Sequence, residues 1–171
     1  MNMRVYLSPS TQEFNIGVGS FGNEEERMNQ IADVVQRQLE ANGGFTIFRN
    51  TPEMNVNQAI ADSNSKYPDL HVSIHSNAGG GQGTEVYVKN DTSPAYPFAN
   101  IVANKLSTIT PGPDRGVIIN NYLAEVTRTI APSALIEVAF HDNPQDANWI
   151  VNNIEQIGTI IADAIIEYFG K

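Results

Sequence analysis

Residues 133 to 140 read SALIEVAF, an apolar run broken by a single carboxylate. It is too short for a buried helix, lacks the alternation of a half-exposed strand, and fits a strand covered on both faces. A strand of that kind needs helices above and below its sheet, and the rest of the chain supplies them. Met28, Ile31, Ala32, Val35 and Leu39 fall at helical spacing between polar residues, after an acidic first turn and before the terminator ANGG. Ile154, Ile157, Ile161, Ala164, Ile165 and Tyr168 form a second stripe over 153–168. Shorter strand patterns occur at RVYL (4–7), FTIFR (45–49), LHVSIH (70–75) and GTEVYVK (83–89), with helical patterns at 55–66 and 95–109. At 143–153, Asn143 is placed to cap a helix that starts on Pro144. The stretch from TPGPDRG to residue 130 shows no period. The expectation is a three-layer α/β/α fold, with a mostly parallel sheet of about six strands flanked by helices, over a single domain spanning 1–171.

Several function classes are disfavoured at once. The chain has 171 residues, 41% of them hydrophobic, enough for one core. Nineteen acidic against 10 basic residues give a net charge of -9, and no basic cluster is interleaved with aromatics, so no nucleic-acid partner is expected. SPSTQEF after the first strand has neither a dinucleotide nor a phosphate-loop fingerprint. Without cysteine there is no disulfide framework. No membrane span is expected, and the opening MNMRVYLSPS is too briefly apolar for a signal peptide. Oligomeric state is not legible.

Three polar residues stand out. Glu137 interrupts the apolar run, where a carboxylate costs several kcal/mol unless it is paired, protonated or facing a cleft. Its structural alternative is a salt bridge to Arg115 or Arg128. His75 ends the third strand, where α/β folds place chemistry, and is either a ligand or a hydrogen-bonded loop anchor. Glu25 opens the first helix and is either functional or a complement to the helix dipole. Together they suggest a histidine and a carboxylate holding a metal beside a second carboxylate acting as base and acid. His71, deeper on the same strand face, reads as a core or supporting residue; His141 lies nearer the strand mouth as a metal or substrate contact or as loop packing.

Three segments, NEEERMNQIADVV (23–35), SIHSNA (73–78) and APSALIEVAFHDNPQD (131–146), resemble in order and spacing the zinc-dependent N-acetylmuramoyl-L-alanine amidases of the amidase-3 type. These cut peptidoglycan between the lactyl group of muramic acid and the first alanine of the stem peptide. The resemblance runs over nearly the whole chain. It implies zinc as cofactor and peptidoglycan as partner, with action in the extracellular space or cell wall, as for an autolysin or endolysin, reached from the cytoplasm by other means. It places zinc ligands at Glu25, because Asn29 matches the family's asparagine, and at His75, with the catalytic glutamate at Glu137. Asn77 and Asn143 match recurring polar positions, and Asn77, Arg115 and Arg128 are the candidate substrate contacts.

One departure bears on the metal. The family carries a ligand histidine in an Asp-Pro-Gly-His-Gly-Gly loop after strand one, and this chain has Ser8, Pro9, Ser10 and Thr11 there. The alternatives are completion of the sphere by water, Gln12 or Glu13, completion by His141, or a weakened or inactive peptidoglycan-binding relative on the same fold.

Overall fold

A computed structural model describes residues 1–171. Six strands, β1 (Met3–Pro9), β2 (Phe45–Arg49), β3 (Leu70–Asn77), β4 (Glu85–Val88), β5 (Val117–Ile119) and β6 (Ser133–Phe140), form one sheet in the order β2-β1-β3-β6-β4-β5. Between and after them run helices α1 (Glu24–Asn42), α2 (Val56–Lys66), α3 (Tyr96–Ser107), α4 (Ala124–Thr127), α5 (Pro144–Asn152) and α6 (Ile154–Tyr168). The pairs β1–β2, β1–β3, β3–β6 and β4–β5 are parallel, and β4 runs antiparallel to β6. The mostly parallel α/β/α expectation therefore holds. The stretch without a period contains β5 and α4, three and four residues long, too short for either periodicity to register.

The helix ends follow from local chemistry. Asn23 caps α1 by accepting from the Glu26 amide at 2.8 Å, and Gly43, at φ 76°, stops it by returning its amide to the Leu39 carbonyl. Asn143 caps α5 by accepting from the Gln145 and Asp146 amides, as its place before Pro144 predicts.

Strand alternation divides the central strands into two unlike faces. Val5, Leu7, Val72, Ile74, Ala134, Ile136 and Val138 join one apolar cluster with residues of α1, α3, α5 and α6. α6 lies close against α1, because a Cβ on Gly158 would sit 2.5 Å from Val34 Cβ and 2.9 Å from the Ile31 carbonyl oxygen. The alternate residues Tyr6, Ser8, His71, Ser73, His75 and Glu137 point to the opposite face, where α2 and α4 pack together. No helix is long and apolar enough to cross a membrane.

Candidate active site

Pairing register sets the first part of the site. His75 lies opposite Glu137 across β3–β6, and Glu137 lies opposite Glu85 across β6–β4, so three neighbouring strands present an imidazole and two carboxylates in a row. The row stands at the carboxyl ends of β3 and β6, the usual place for chemistry in an open α/β sheet.

Two carboxylates from opposite sides of the sheet hold the histidine. Glu24, the first residue of α1, contacts His75 Nδ1 at 3.0 Å through Oε1, which also accepts from the Ser76 amide; its Oε2 accepts from Asn15 Nδ2 at 2.6 Å. Glu125 on α4 contacts His75 Nε2 at 3.1 Å through Oε2. Its Oε1 accepts from Ser8 Oγ at 2.5 Å and lies 3.2 Å from His71 Nε2. Since an ionised carboxylate can only accept, His71 carries its proton on Nε2, and Ser63 Oγ donates to its Nδ1 at 2.8 Å. The buried chain Ser63–His71–Glu125–His75–Glu24 is satisfied at each link.

The electrostatics follow from this packing. Burial works against a charged His75, but the bonds to Glu125 and Glu24 outweigh it and raise its pKa well above the usual histidine range. Burial likewise opposes ionisation of Glu24 and Glu125, and their histidine partners prevail, holding Glu24 below and Glu125 far below the ordinary carboxylate range. Glu137 has no such partner. Its Oε2 is buried without a hydrogen bond, and burial, reinforced by the charges of Glu24, Glu85 and Glu125 against the opposing charge of His75, pushes its pKa up to about 8.

The salt-bridge alternative for Glu137 does not hold. Arg115 Nε is bound to Glu85 Oε1 at 2.5 Å, with its guanidinium 5.5 Å from the Phe140 ring, and Arg128 Nη1 donates to Asn57 on the surface. Glu85 lies nearer Arg115 and takes its charge, while also accepting from Tyr87 Oη and from Asn77 Nδ2 at 2.9 Å. Asn77 closes the strand end, and its Oδ1 accepts from the Ala78 amide.

Glu25 is off the site by one residue. Successive helical side chains diverge by about 100°. Glu24 therefore meets the strand ends, while Glu25 is half-buried, its pKa raised by desolvation and the charges of Glu13 and Glu53. Matching on Asn29 produced the slip: Asn29 Oδ1 accepts from Arg49 Nη2, and its amide turns back to the Glu25 carbonyl. The apolar stripe carried the better signal, since Glu24 stands four residues before Met28 on the buried side.

Neither His141 nor Gln12, candidates for a further ligand, joins His75. His141 is buried on the other side of β3, with Nδ1 on Ser76 Oγ at 2.8 Å and its ring 5.5 Å from that of Phe21. Gln12 is linked to Glu24 only through Asn15, whose Nδ2 donates to Gln12 Oε1 at 2.7 Å. Glu125 was not singled out from the sequence, because its four-residue helix shows no stripe.

A cleft of about 420 Å³ opens beside this cluster, lined by Ser10, Thr11, Gln12 and Phe14 on one side, Met54 and Val56 on the other, with His75 and Glu125 reaching it. In donor type, an imidazole nitrogen and a carboxylate oxygen suit zinc, and the 3.0 Å between His75 Nδ1 and Glu24 Oε1 is close to the roughly 3.4 Å between two ligands of a tetrahedral zinc. The pair falls one protein ligand short of the usual catalytic count, and no group of three His, Cys, Asp or Glu side chains is arranged to hold a metal.

The family model described as N-acetylmuramoyl-L-alanine amidase, amidase-3 type, matches residues 11–167. This chain belongs to the amidase-3 family. Over 151 residues it is 26% identical to the N-acetylmuramoyl-L-alanine amidase CwlM of Bacillus licheniformis, covering 85% of this chain and 59% of that protein. The chain thus spans about three-fifths of the length of that relative. Its fold is shared with the catalytic domain of CwlV, an N-acetylmuramoyl-L-alanine amidase from Bacillus (Paenibacillus) polymyxa var. colistinus, at TM-score 0.87 and 22% identity over 98% of each chain. It is also shared with the catalytic domain of the CD27L endolysin targeting Clostridia difficile, at TM-score 0.77 and 19% identity over 97% and 98% of the two chains.

Proposed function

We propose that this domain hydrolyses the amide bond between the N-acetylmuramoyl group and L-alanine in peptidoglycan, with zinc as its cofactor, and that it acts at the cell wall. The observation that carries the reading is the pairing of Glu137, a carboxylate without a hydrogen-bond partner on Oε2, with His75 in register beside it and Glu24 folded over the same strand ends. Family membership supplies the substrate class. Glu24 and His75 would hold the metal, with water completing its sphere. When bound there, zinc polarises the scissile carbonyl and lowers the pKa of an attacking water.

The protein's own part in the reaction falls to Glu137. With its pKa raised toward 8, it has the proton affinity of a general base at mildly alkaline pH, and a cation beside it brings that affinity closer to neutrality. The carboxylate takes a proton from the attacking water and returns it to the departing alanine nitrogen, so one group serves as base and then acid. Glu85, ion-paired with Arg115, remains a spectator of the proton transfer, while its negative charge helps keep Glu137 basic.

The test is release of alanine amino termini from purified peptidoglycan, by protein stripped with chelator and then resupplied with zinc. Release restored by zinc supports the reading. One observation favours a second, non-hydrolytic reading: Ser10 and Thr11 stand where the family has its first ligand histidine, and only two donors converge. Folded protein that releases nothing in either state yet sediments with peptidoglycan would be a binding relative.

A further inference from the structure

We propose that Arg115 is a specificity residue: its two terminal guanidinium nitrogens receive a carboxylate on the peptide arm of the substrate, at the β4 side of Glu137. The inference deepens the amidase reading and rests on it for what carries that carboxylate.

Four observations converge on this role. Arg115 Nε is bound to Glu85 Oε1 at 2.5 Å and the guanidinium lies 5.5 Å from the Phe140 ring, which leaves Nη1 and Nη2 without a partner in the chain. The Arg115 side chain is 39% exposed and that of Glu85 only 5%, so the pair turns its cationic end outward. The support is itself held. Glu85 accepts from Tyr87 Oη and from Asn77 Nδ2 at 2.9 Å, and the arginine stem passes Gly83, where an added Cβ would lie 3.4 Å from Arg115 Cδ and 2.4 Å from the Pro113 carbonyl oxygen. Of the ten lysines and arginines, Arg115 alone is ion-paired with a member of the strand-end row; Arg27, Arg49 and Arg128 are bound elsewhere. The other cation of the site, His75, has both ring nitrogens on carboxylates. In a chain of net charge -9, an anionic group therefore has one place to dock beside Glu137.

The spacing suits a peptide. Glu85 faces Glu137 across β6–β4, a Cα separation of about 5 Å, and Arg115 reaches beyond Glu85. At about 3.3–3.6 Å per extended residue, the guanidinium stands about two residues from the reacting carbonyl. A planar fork of N–H donors matches a carboxylate in shape as well as charge. In the proposed substrate the muramoyl carboxyl is consumed in the scissile amide, so free carboxylates come from the peptide. With the peptide arm drawn toward β4, the muramoyl side is left the cleft over β1, β2 and β3.

The experiment is an NMR titration of the full chain with N-acetylmuramoyl-L-alanyl-D-isoglutamine, which carries a free carboxylate, and with its carboxamide counterpart. Chelator is present throughout to prevent cleavage, and histidine labelling lets the His75 resonances report whether the site is intact in each variant. Wild type should bind the carboxylate form about 10–100-fold more tightly. Arg115→Met keeps an unbranched stem without the fork and should abolish the difference, while Arg115→Lys, a point charge, should keep part of it. Arg115→Met combined with Glu85→Gln removes both charges and serves where the single variant does not fold. A role confined to holding the fold would weaken both ligands alike and leave their ratio unchanged. That result overturns the proposal, as do equal affinities in the wild type or failure of the wild type to bind either ligand. Carboxylate selection without release of alanine amino termini by zinc-resupplied protein would defeat the amidase reading alone, and release without selection would defeat this proposal alone.

Discussion

On the side of the sheet covered by α1, α3 and α6, the strands present Val5, Leu7, Val72, Ile74 and Ile136 to one continuous apolar cluster. On the other side the same strands present Tyr6, Ser8, His71, Ser73, His75 and Glu137, four of them ionisable and the other two hydroxyls. Each buried aliphatic side chain on the first side contributes about 1.5–3 kcal/mol. The second side gains little from its polar pairs, since desolvation offsets much of what each charge gains from its partner. One layer of backbone thus divides its duties: residues of one parity hold the fold, and those of the other form the candidate site.

The division predicts that a substitution on one side should leave the other's readout alone. The largest effect belongs to Glu137→Ala, which should lower hydrolysis by about 10²–10⁴-fold with cadmium or zinc affinity retained. An undiminished rate would remove Glu137 from the mechanism. Glu137→Gln separates charge from shape in the metal-free protein. With a folded pKa near 8, above the ordinary 4.5, the native state keeps a proton that the unfolded chain releases. The Glu137 contribution to stability therefore declines as pH rises from about 4.5 to 8 and stays low above that. Denaturant melts across that window should show wild type losing stability relative to the glutamine variant; parallel curves would mean the carboxyl is already ionised.

Ile136→Ala, one residue away but on the apolar side, should cost about 2–5 kcal/mol in denaturant unfolding while the His75 spectrum at low temperature stays unchanged. Gly158→Ala should cost about 1–3 kcal/mol by forcing α6 away from Val34 and the Ile31 carbonyl, again without moving the His75 resonances. A shifted spectrum in either variant would show that the two sides are coupled. Arg128→Ala marks the floor: bound to Asn57 at the surface, it should change hydrolysis less than twofold in a direct rate comparison.

Most of the fold was legible because strands and helices long enough to show a period dominate the chain. SALIEVAF and the α1 and α6 stripes give the layers without tertiary information. The site was legible only where a polar residue broke such a pattern, as Glu137 and His75 do. Glu24 was within reach, since it extends the Met28, Ile31, Ala32 stripe backward, yet a single asparagine match shifted the reading to Glu25. Glu125 had no pattern to break. The partner of Arg115 could not be read either, because Glu85 and Glu137 become neighbours only through the antiparallel pairing of β4 with β6.

The sheet order has a consequence for when the candidate site comes into being. β2, β1 and β3 form one block, β4 and β5 another, and β6, among the last elements of the chain, is the only strand that pairs with both. Glu137 rides on that strand. A chain folded only as far as residue 132, or one nicked ahead of residue 133, holds two unjoined pieces of sheet and lacks Glu137, so the candidate site is assembled in one step, with the closing of the fold.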